Sequence, residues 1–167
     1  MIFKAKKSLG QNFLVDQNIL MLIANSAKIE KNDEIVEIGP GTGNLTEFLL
    51  KKNPKKMYLI EKDENLANLL KNKFSKSLNV INEDILKFSK KNLLNNESII
   101  FGNLPYNISS QILVKFIINK NKFKFKKLIF MFQKEVGEKI IAKLGDKNYS
   151  RLSIITRSRL KIKNYFY

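Results

Sequence analysis

Short runs of β-branched and aromatic residues recur along the chain at intervals of about 20 to 30 residues, with helical patterns between most of them. This spacing suits repeated strand–helix units, which build a parallel sheet covered by helices on both faces. The 167 residues suffice for one core, and we find no repeat or linker, so a single α/β domain is expected. The predicted strands are Glu34 to Ile38, Met57 to Glu61, Leu78 to Ile81, Ser98 to Asn103 and Leu128 to Gln133.

Apolar residues at helical spacing predict the covering helices. Asp16 is the expected N-cap of the first helix, and Ser109 or Ser110 that of a later one. Two lysine-rich stretches, 51–56 and 120–127, are expected to be solvated helix ends and loops. The helical patterns carry Ile19, Leu20, Leu22 and Ile23; Asn44 to Leu50; Leu66, Leu69, Leu70 and Phe74; and Ile112, Leu113, Phe116 and Ile117.

A glycine-rich loop, Gly39-Pro40-Gly41-Thr42-Gly43, follows the first predicted strand. Glycines let a backbone turn tightly and approach a ligand at the carboxyl end of a strand, where open α/β sheets bind cofactors. The G-x-G-x-G spacing with an internal proline differs from the dinucleotide-binding pattern. Glu61 ends the next strand, 22 positions after Gly39. A carboxylate there can accept hydrogen bonds from both ribose hydroxyls of a bound nucleoside.

Asp84 follows the third predicted strand. Its carboxylate can accept a hydrogen bond from an adenine amino group, or it can cap a helix that starts at Ile85. Because the carboxyl ends of parallel strands meet at one edge of a sheet, we expect Gly39, Glu61, Asp84 and Asn103 to form a single site.

The segment Asn103-Leu104-Pro105-Tyr106 ends the fourth strand with an amide, a fixed backbone and an aromatic ring. A simple turn explains these residue types equally well. In a binding site, the Asn103 side chain and the Pro105 carbonyl can accept the two amino hydrogens of a base, and Tyr106 can stack on its ring. Next to an adenosine-containing cofactor, this arrangement describes a nucleic-acid N-methyltransferase.

The net charge of +16, from 31 Lys and Arg against 15 Asp and Glu, favours a nucleic-acid partner. The alternative is the composition of an AT-rich genome, which also enriches lysine.

Cysteine and histidine are absent, which excludes disulfides, a thiolate nucleophile, an imidazole base and an ordinary zinc site, so no metal is expected. No apolar stretch approaches about 18 residues, so we expect a soluble, cytoplasmic protein without membrane contact. We also expect it to be a monomer.

Four segments, in this order, resemble the KsgA family of ribosomal RNA small-subunit adenine dimethyltransferases. They are Lys7 to Leu14, Glu37 to Gly43, Asn103 to Ser110 and Gln133 to Val136. The resemblance implies the Rossmann-like sheet of class I S-adenosylmethionine-dependent methyltransferases. It also implies transfer of methyl groups to N6 of two adjacent adenosines near the 3′ end of small-subunit (16S) rRNA, in support of small-subunit biogenesis.

The same resemblance implies that S-adenosylmethionine is the cofactor and identifies the residues that line its site. By its position alone, Asn12 would belong to a simple N-terminal arm of about residues 1–15. The implied cofactor-site residues are Asn12, Leu14, Gly39, Gly41, Glu61, Asp84 and Asn103.

The implied chemistry needs no residue type that the chain lacks. Adenine N6 is a poor nucleophile because its lone pair is delocalised into the ring. Asn103 and the Pro105 carbonyl would hold it pyramidal and in line with the methyl sulfonium, and Tyr106 would stack on the base once it leaves its helical stack. A cytosine C5 methyltransferase would instead require a cysteine nucleophile.

Members of the family continue into another strand, preceded by a Phe-x-Pro-x-Pro-Lys-Val segment, and then into a small helical domain. This chain stops at Tyr167, before either, so we expect a fragment or a naturally shortened chain. Its cofactor half is expected to be complete, and whether its RNA half is complete stays open. One alternative is a large-subunit rRNA adenine methyltransferase of the macrolide-resistance type, which segment 9–12 and Leu104 disfavour. A non-catalytic ribosome-assembly or transcription factor is the other, and the intact Glu61 and Asp84 argue against it.

Overall fold

Five parallel strands form one sheet in the computed structural model, which describes residues 13–74, 78–89, 97–119 and 123–165. The strand order across the sheet is β3-β2-β1-β4-β5. The strands are β1 (Glu34–Ile38), β2 (Lys56–Glu61), β3 (Asn79–Asn82), β4 (Ser98–Asn103) and β5 (Phe125–Met131). The helices are α1 (Gln17–Asn25), α2 (Asn44–Leu50), α3 (Glu64–Phe74), α4 (Ser109–Ile118), α5 (Lys134–Ile141) and α6 (Arg151–Arg159).

Side chains of the three central strands alternate between two faces, as the pleat of a strand requires. One face packs against α1, α2 and α3, and the other packs against α4. Both faces are therefore covered, which explains the nearly continuous hydrophobic runs in the sequence. The first face carries Ile35, Met57, Leu59, Ile99 and Phe101, and the second carries Val36, Ile38, Tyr58, Ile60 and Ile100.

The bounds of β1, β4 and α2 agree with the sequence prediction, and β2 and β3 differ by a single residue at one or both ends. The predicted fifth strand was misplaced, since β5 begins at Phe125 instead of Leu128 and ends at Met131. Residues 125–127 of the predicted lysine-rich loop therefore lie in a strand. The error has a physical cause: Lys126 extends its long side chain to Asp33, with Nζ and Oδ1 2.6 Å apart, so lysine does not mark a loop here.

The predicted capping residues had mixed outcomes. Asp16 caps α1 as expected, because its Oδ1 accepts hydrogen bonds from the backbone N–H groups of Asn18 and Ile19 at 2.9 and 3.1 Å. The prediction for α4 was wrong, since its N-cap is Ile108 and no side chain caps it. Ser109 is instead the first helical residue, and its hydroxyl donates to the Tyr106 carbonyl.

Helices α5 and α6, which the sequence analysis left unassigned, pack on each other and on α4. Arg157 of α6 donates hydrogen bonds to the carbonyls of Ile141 and Ala142 at the end of α5. None of the helices in the described ranges combines the length and hydrophobicity that crossing a membrane demands.

Candidate functional site

The carboxyl ends of the strands bring most of the predicted site residues to one edge of the sheet. Ile38 of β1 lies in register with Ile60 of β2 and with Gly102 of β4. The residues that follow these three positions are therefore neighbours, and they are Gly39, Glu61 and Asn103. Asp84 belongs to the same edge, because the Glu61 carbonyl accepts a hydrogen bond from the backbone N–H of Glu83 at 3.0 Å.

The glycine loop contacts the second strand through its own backbone. Gly41 adopts φ of +60°, a left-handed conformation that favours glycine. Its N–H donates to Oε2 of Glu61 at 3.2 Å, and a Cβ atom at this position would lie 3.0 Å from the Phe13 ring. The loop is therefore closed on one side by the N-terminal segment and held on the other by the Glu61 carboxylate.

Glu61 is a buried carboxylate that receives two backbone hydrogen bonds. Its Oε1 accepts from the N–H of Asp63 at 2.9 Å, in addition to the bond from Gly41 to Oε2. Burial raises the pKa of Glu61 above its usual range, although these backbone donors partly offset the effect. A carboxylate has about four lone-pair sites, so Glu61 could accept a further hydrogen bond from a ligand hydroxyl.

Glu37 is a second buried carboxyl near the loop, and the sequence analysis did not single it out as a site residue. Burial raises the pKa of Glu37 to about 8, and the negative charge of Glu61 adds to the rise. Its Oε2 accepts a hydrogen bond from the Thr46 hydroxyl at 2.7 Å. It lines a small cleft with Phe13, Leu14 and the glycine loop. The available signal was a glutamate between two apolar residues of a central strand.

Asp84 caps the turn that contains it, in place of the helix that the sequence suggested at Ile85. Oδ1 of Asp84 accepts from the N–H of Leu86, and its backbone carbonyl accepts from those of Lys87 and Phe88, all at 2.9 Å. Lys62 forms an ion pair with Oδ2 at 2.9 Å. Burial alone would raise the pKa of Asp84, but the hydrogen bonds from Lys62 and Leu86 outweigh it and hold this pKa below its usual range.

The N-terminal segment reaches the loop at Leu14, whose carbonyl accepts a hydrogen bond from Nδ2 of Asn44 at 2.8 Å. Leu14 also packs against the core beneath the sheet edge. These contacts put Leu14 beside the glycine loop, as a cofactor-site residue would need to be. The predicted site residue Asn12 lies outside the described residues.

The Asn103 to Tyr106 segment forms a turn between β4 and α4. The Pro105 carbonyl accepts a hydrogen bond from the N–H of Ile108 at 3.2 Å, which leaves it one further lone pair. Leu104 is buried, and it packs so closely on Gly102 that a Cβ atom there would lie 2.6 Å from its Cδ2 atom. Tyr106, by contrast, is 42% exposed. The turn interpretation is thus confirmed, and the use of this segment as a base clamp stays a prediction.

The described residues contain no group of three or more carboxylates placed to hold a metal ion. The site is thus a cleft of backbone groups, buried carboxyls, one amide and an exposed aromatic ring. The sheet order, the glycine loop after β1 and the acidic end of β2 define a Rossmann-like methyltransferase fold.

Within that class, the chain belongs to the ribosomal RNA adenine dimethylase family, whose sequence profile matches residues 2–164. It is 51% identical over 164 residues to ribosomal RNA small subunit methyltransferase A of Pelagibacter ubique, an alignment that covers 98% of this chain and 62% of that protein. This chain therefore spans about three fifths of the length of that relative.

Two solved structures show the same fold. A dimethyladenosine transferase from Plasmodium falciparum superposes with a TM-score of 0.76 at 35% identity, covering 87% of this chain and 52% of that one. The 23S rRNA methyltransferase ErmE superposes with a TM-score of 0.68 at 26% identity, covering 87% and 55% respectively.

Proposed function

We propose that this chain transfers methyl groups from S-adenosylmethionine to N6 of two adjacent adenosines near the 3′ end of small-subunit rRNA, as a cytoplasmic monomer that needs no metal. The observation that carries the proposal is the position of the Asn103 to Tyr106 turn, which shares a sheet edge with the glycine loop and Glu61. This shared edge supports a site for a nucleoside cofactor next to a site for a planar base.

The residues present fit an adenosine-containing cofactor. The buried Glu61 carboxylate offers acceptor lone pairs to ribose hydroxyls, and Asp84 offers them to an adenine amino group. Leu14, the glycine loop and Asn103 line a small cleft at the same sheet edge, where they would contact the remaining part of such a ligand. S-adenosylmethionine, when bound, supplies an electrophilic methyl group on a sulfonium.

The acceptor base is held by the turn after β4. The Asn103 amide oxygen accepts one N6 hydrogen, and the second lone pair of the Pro105 carbonyl accepts the other. The exposed Tyr106 ring offers a surface on which a flipped base can stack. In the first transfer, holding both hydrogens would take the nitrogen lone pair out of conjugation with the ring and turn it toward the methyl group, which favours its attack. As the nitrogen–carbon bond forms, the carbon–sulfur bond of the sulfonium would break and the amino group would release one proton. One N–H then remains, so only one of the two acceptors would orient the nitrogen for the second transfer.

The comparisons support the small subunit as the source of the substrate. Identity is 51% to the relative named for the small subunit and 26% to the 23S rRNA enzyme. The high net positive charge suits an RNA partner of either kind, so it does not decide between them.

The proposal is tested by incubating the chain with labelled S-adenosylmethionine and unmethylated small ribosomal subunits, followed by mass spectrometry of the nucleosides. We expect N6,N6-dimethyladenosine from the wild-type chain. Asn103→Ala should lower the rate by about 100-fold or more, because it removes an acceptor that orients the nucleophile. The matched control is Asn68→Ala, at an exposed position on α3, which should keep the wild-type rate.

Calorimetry with S-adenosylmethionine separates the alternatives. A non-catalytic assembly factor would give no binding heat, whereas a methyltransferase should bind the cofactor even when Asn103 is replaced by alanine. Label that appeared only in large-subunit rRNA would contradict the proposed substrate. A fully active Asn103→Ala variant would contradict the proposed mechanism.

A further inference from the structure

The turn that presents Asp84 extends away from its own strand to reach α4. Strand β3, which precedes this turn, is separated from β4 by β2 and β1 in the sheet. Ile85 and Phe88 nevertheless pack into the same apolar cluster as Ile112 and Phe116 of α4. The turn at residues 84–88 therefore lies on the helix that follows the Asn103 to Tyr106 turn.

Lys115 of α4 forms a polar link between these two elements. Its Nζ donates hydrogen bonds to the carbonyl oxygens of Leu86 at 2.8 Å and Phe88 at 2.7 Å. Its ammonium group also lies 5.6 Å from the centroid of the Phe123 ring. The side chain is half-buried, so these bonds are shielded from competition with water.

Two residues thus hydrogen-bond the backbone of the turn: Asp84 accepts from its N–H groups, and Lys115 donates to its carbonyls. Asp84 itself accepts from the N–H groups of Leu86, Lys87 and Phe88. Lys115 donates to the carbonyls of Leu86 and Phe88, two acceptors of the same turn. Bonds to a charged donor are the stronger kind, and two of them fix both the position and the orientation of the turn.

We propose that Lys115 is a positioning residue, which fixes the Asp84 carboxylate for the cofactor adenine by tying its turn to α4. The inference rests on the proposed function, because it assumes that Asp84 contacts the adenine. It also links the cofactor side of the site to the acceptor side, since α4 begins three residues after Tyr106.

If Lys115 only stabilised the fold, its replacement would lower the free energy of unfolding without a separate effect on cofactor affinity. The apolar contacts of Ile85 and Phe88 stay in place when the ammonium group is removed, so the turn remains packed on α4. What is lost is the orientation of Asp84. The effect should therefore appear in cofactor affinity, and only when Asp84 is present to be oriented.

The test uses Lys115→Met, which keeps most of the apolar stem and removes the donor. We expect the dissociation constant for S-adenosylmethionine, measured by calorimetry, to rise about tenfold, as the loss of hydrogen bonds from a charged donor implies. Lys87→Met is the matched control, since Lys87 is an exposed lysine on the same turn and makes no bond to the Leu86 or Phe88 carbonyl. It should change affinity less than about threefold.

A double-variant cycle shows whether Lys115 acts through Asp84, by holding its turn and by the attraction between the two charges. Asp84→Ala should weaken binding, and adding Lys115→Met to it should cause little further loss, because the two residues act through one contact. Fully additive losses, or wild-type affinity in Lys115→Met, would overturn the inference. If Lys115→Met does not unfold cooperatively, Lys115→Gln replaces it, with a smaller loss expected and unchanged affinity again contradicting the inference. No binding by the wild-type chain would instead refute the proposed function.

Discussion

Replacing Glu37 by glutamine should make the chain more stable, by an amount that grows with pH. Glu37 lies in the central strand and is 2% exposed, and burial raises its pKa to about 8 from an ordinary value of 4.5. Between these two values the folded chain holds a proton that the unfolded chain has released. The free energy of unfolding therefore falls as pH rises through this window, by about 1.4 kcal/mol for each pH unit.

Glutamine keeps the shape of the protonated carboxyl and has no proton to lose. Its amide oxygen can still accept the hydrogen bond that Thr46 donates to Glu37 at 2.7 Å. The stability advantage of Glu37→Gln over the wild type should therefore grow by about 3 kcal/mol between about pH 5 and about pH 7. Above the folded pKa of about 8 the advantage should stop growing, because both states of the wild type are then ionised.

Urea denaturation of the two chains at a series of pH values measures this difference, and comparing them at each pH cancels the titration of groups that do not interact with Glu37. Glu64→Gln, at a solvent-exposed position at the start of α3, controls for the loss of one carboxylate. A stability difference between Glu37→Gln and the wild type that does not change from about pH 5 to about pH 8 would refute the reasoning, since it would mean that Glu37 is already ionised in the folded chain.

Three further substitutions test the backbone and the cofactor site. Gly137→Ala should stabilise α5 by about 0.8 kcal/mol in thermal or urea unfolding, because its Cβ atom meets nothing within 4 Å. Gly43→Ala should destabilise the chain by about 2 kcal/mol or more in the same assay, since φ is +84° and the new Cβ atom would lie 2.7 Å from the Phe74 ring. Glu61→Gln should weaken S-adenosylmethionine binding at least about tenfold by calorimetry, as an anionic acceptor becomes neutral. Burial raises the pKa of Glu61, so acidification should protonate this carboxylate and also weaken cofactor binding by the wild type. Unchanged affinity in Glu61→Gln, or in the wild type on acidification, would contradict the role of Glu61 in binding.

The sequence predicted the site best where chain geometry determines position. Parallel strands end at one edge, so residues just after β1, β2 and β4 had to become neighbours once those strands were assigned. The register confirms this for Gly39, Glu61 and Asn103. The N-cap of α1 was also predictable, because an Asp16 side chain bonds N–H groups only two and three residues away.

Predictions failed where a long side chain or a carbonyl group decides the structure. Lys126 is paired with Asp33, 93 positions earlier in the chain, and no local pattern distinguishes it from a solvated lysine. No sequence pattern predicts the hydrogen bonds from Lys115 to the Asp84 turn either, because their acceptors are backbone carbonyls, which every residue has. The alternative role of Asp84, as the cap of a helix starting at Ile85, was also wrong, because Asp84 caps a single turn, to which Lys115 donates two hydrogen bonds.

Ligand binding explains the burial of two carboxyls near the glycine loop better than the stability of the fold does. Burying Glu37 and Glu61 costs stability, because each carboxyl loses hydration and the two raise each other's energy when ionised. An apolar side chain at Glu37 would extend the core of β1 without that cost. A ligand that carries hydroxyl donors and positive charge would offset the cost when it binds, as S-adenosylmethionine does. On this argument the cleft is least stable when empty, so the cofactor should raise the thermal unfolding temperature of the wild type more than that of Glu61→Gln.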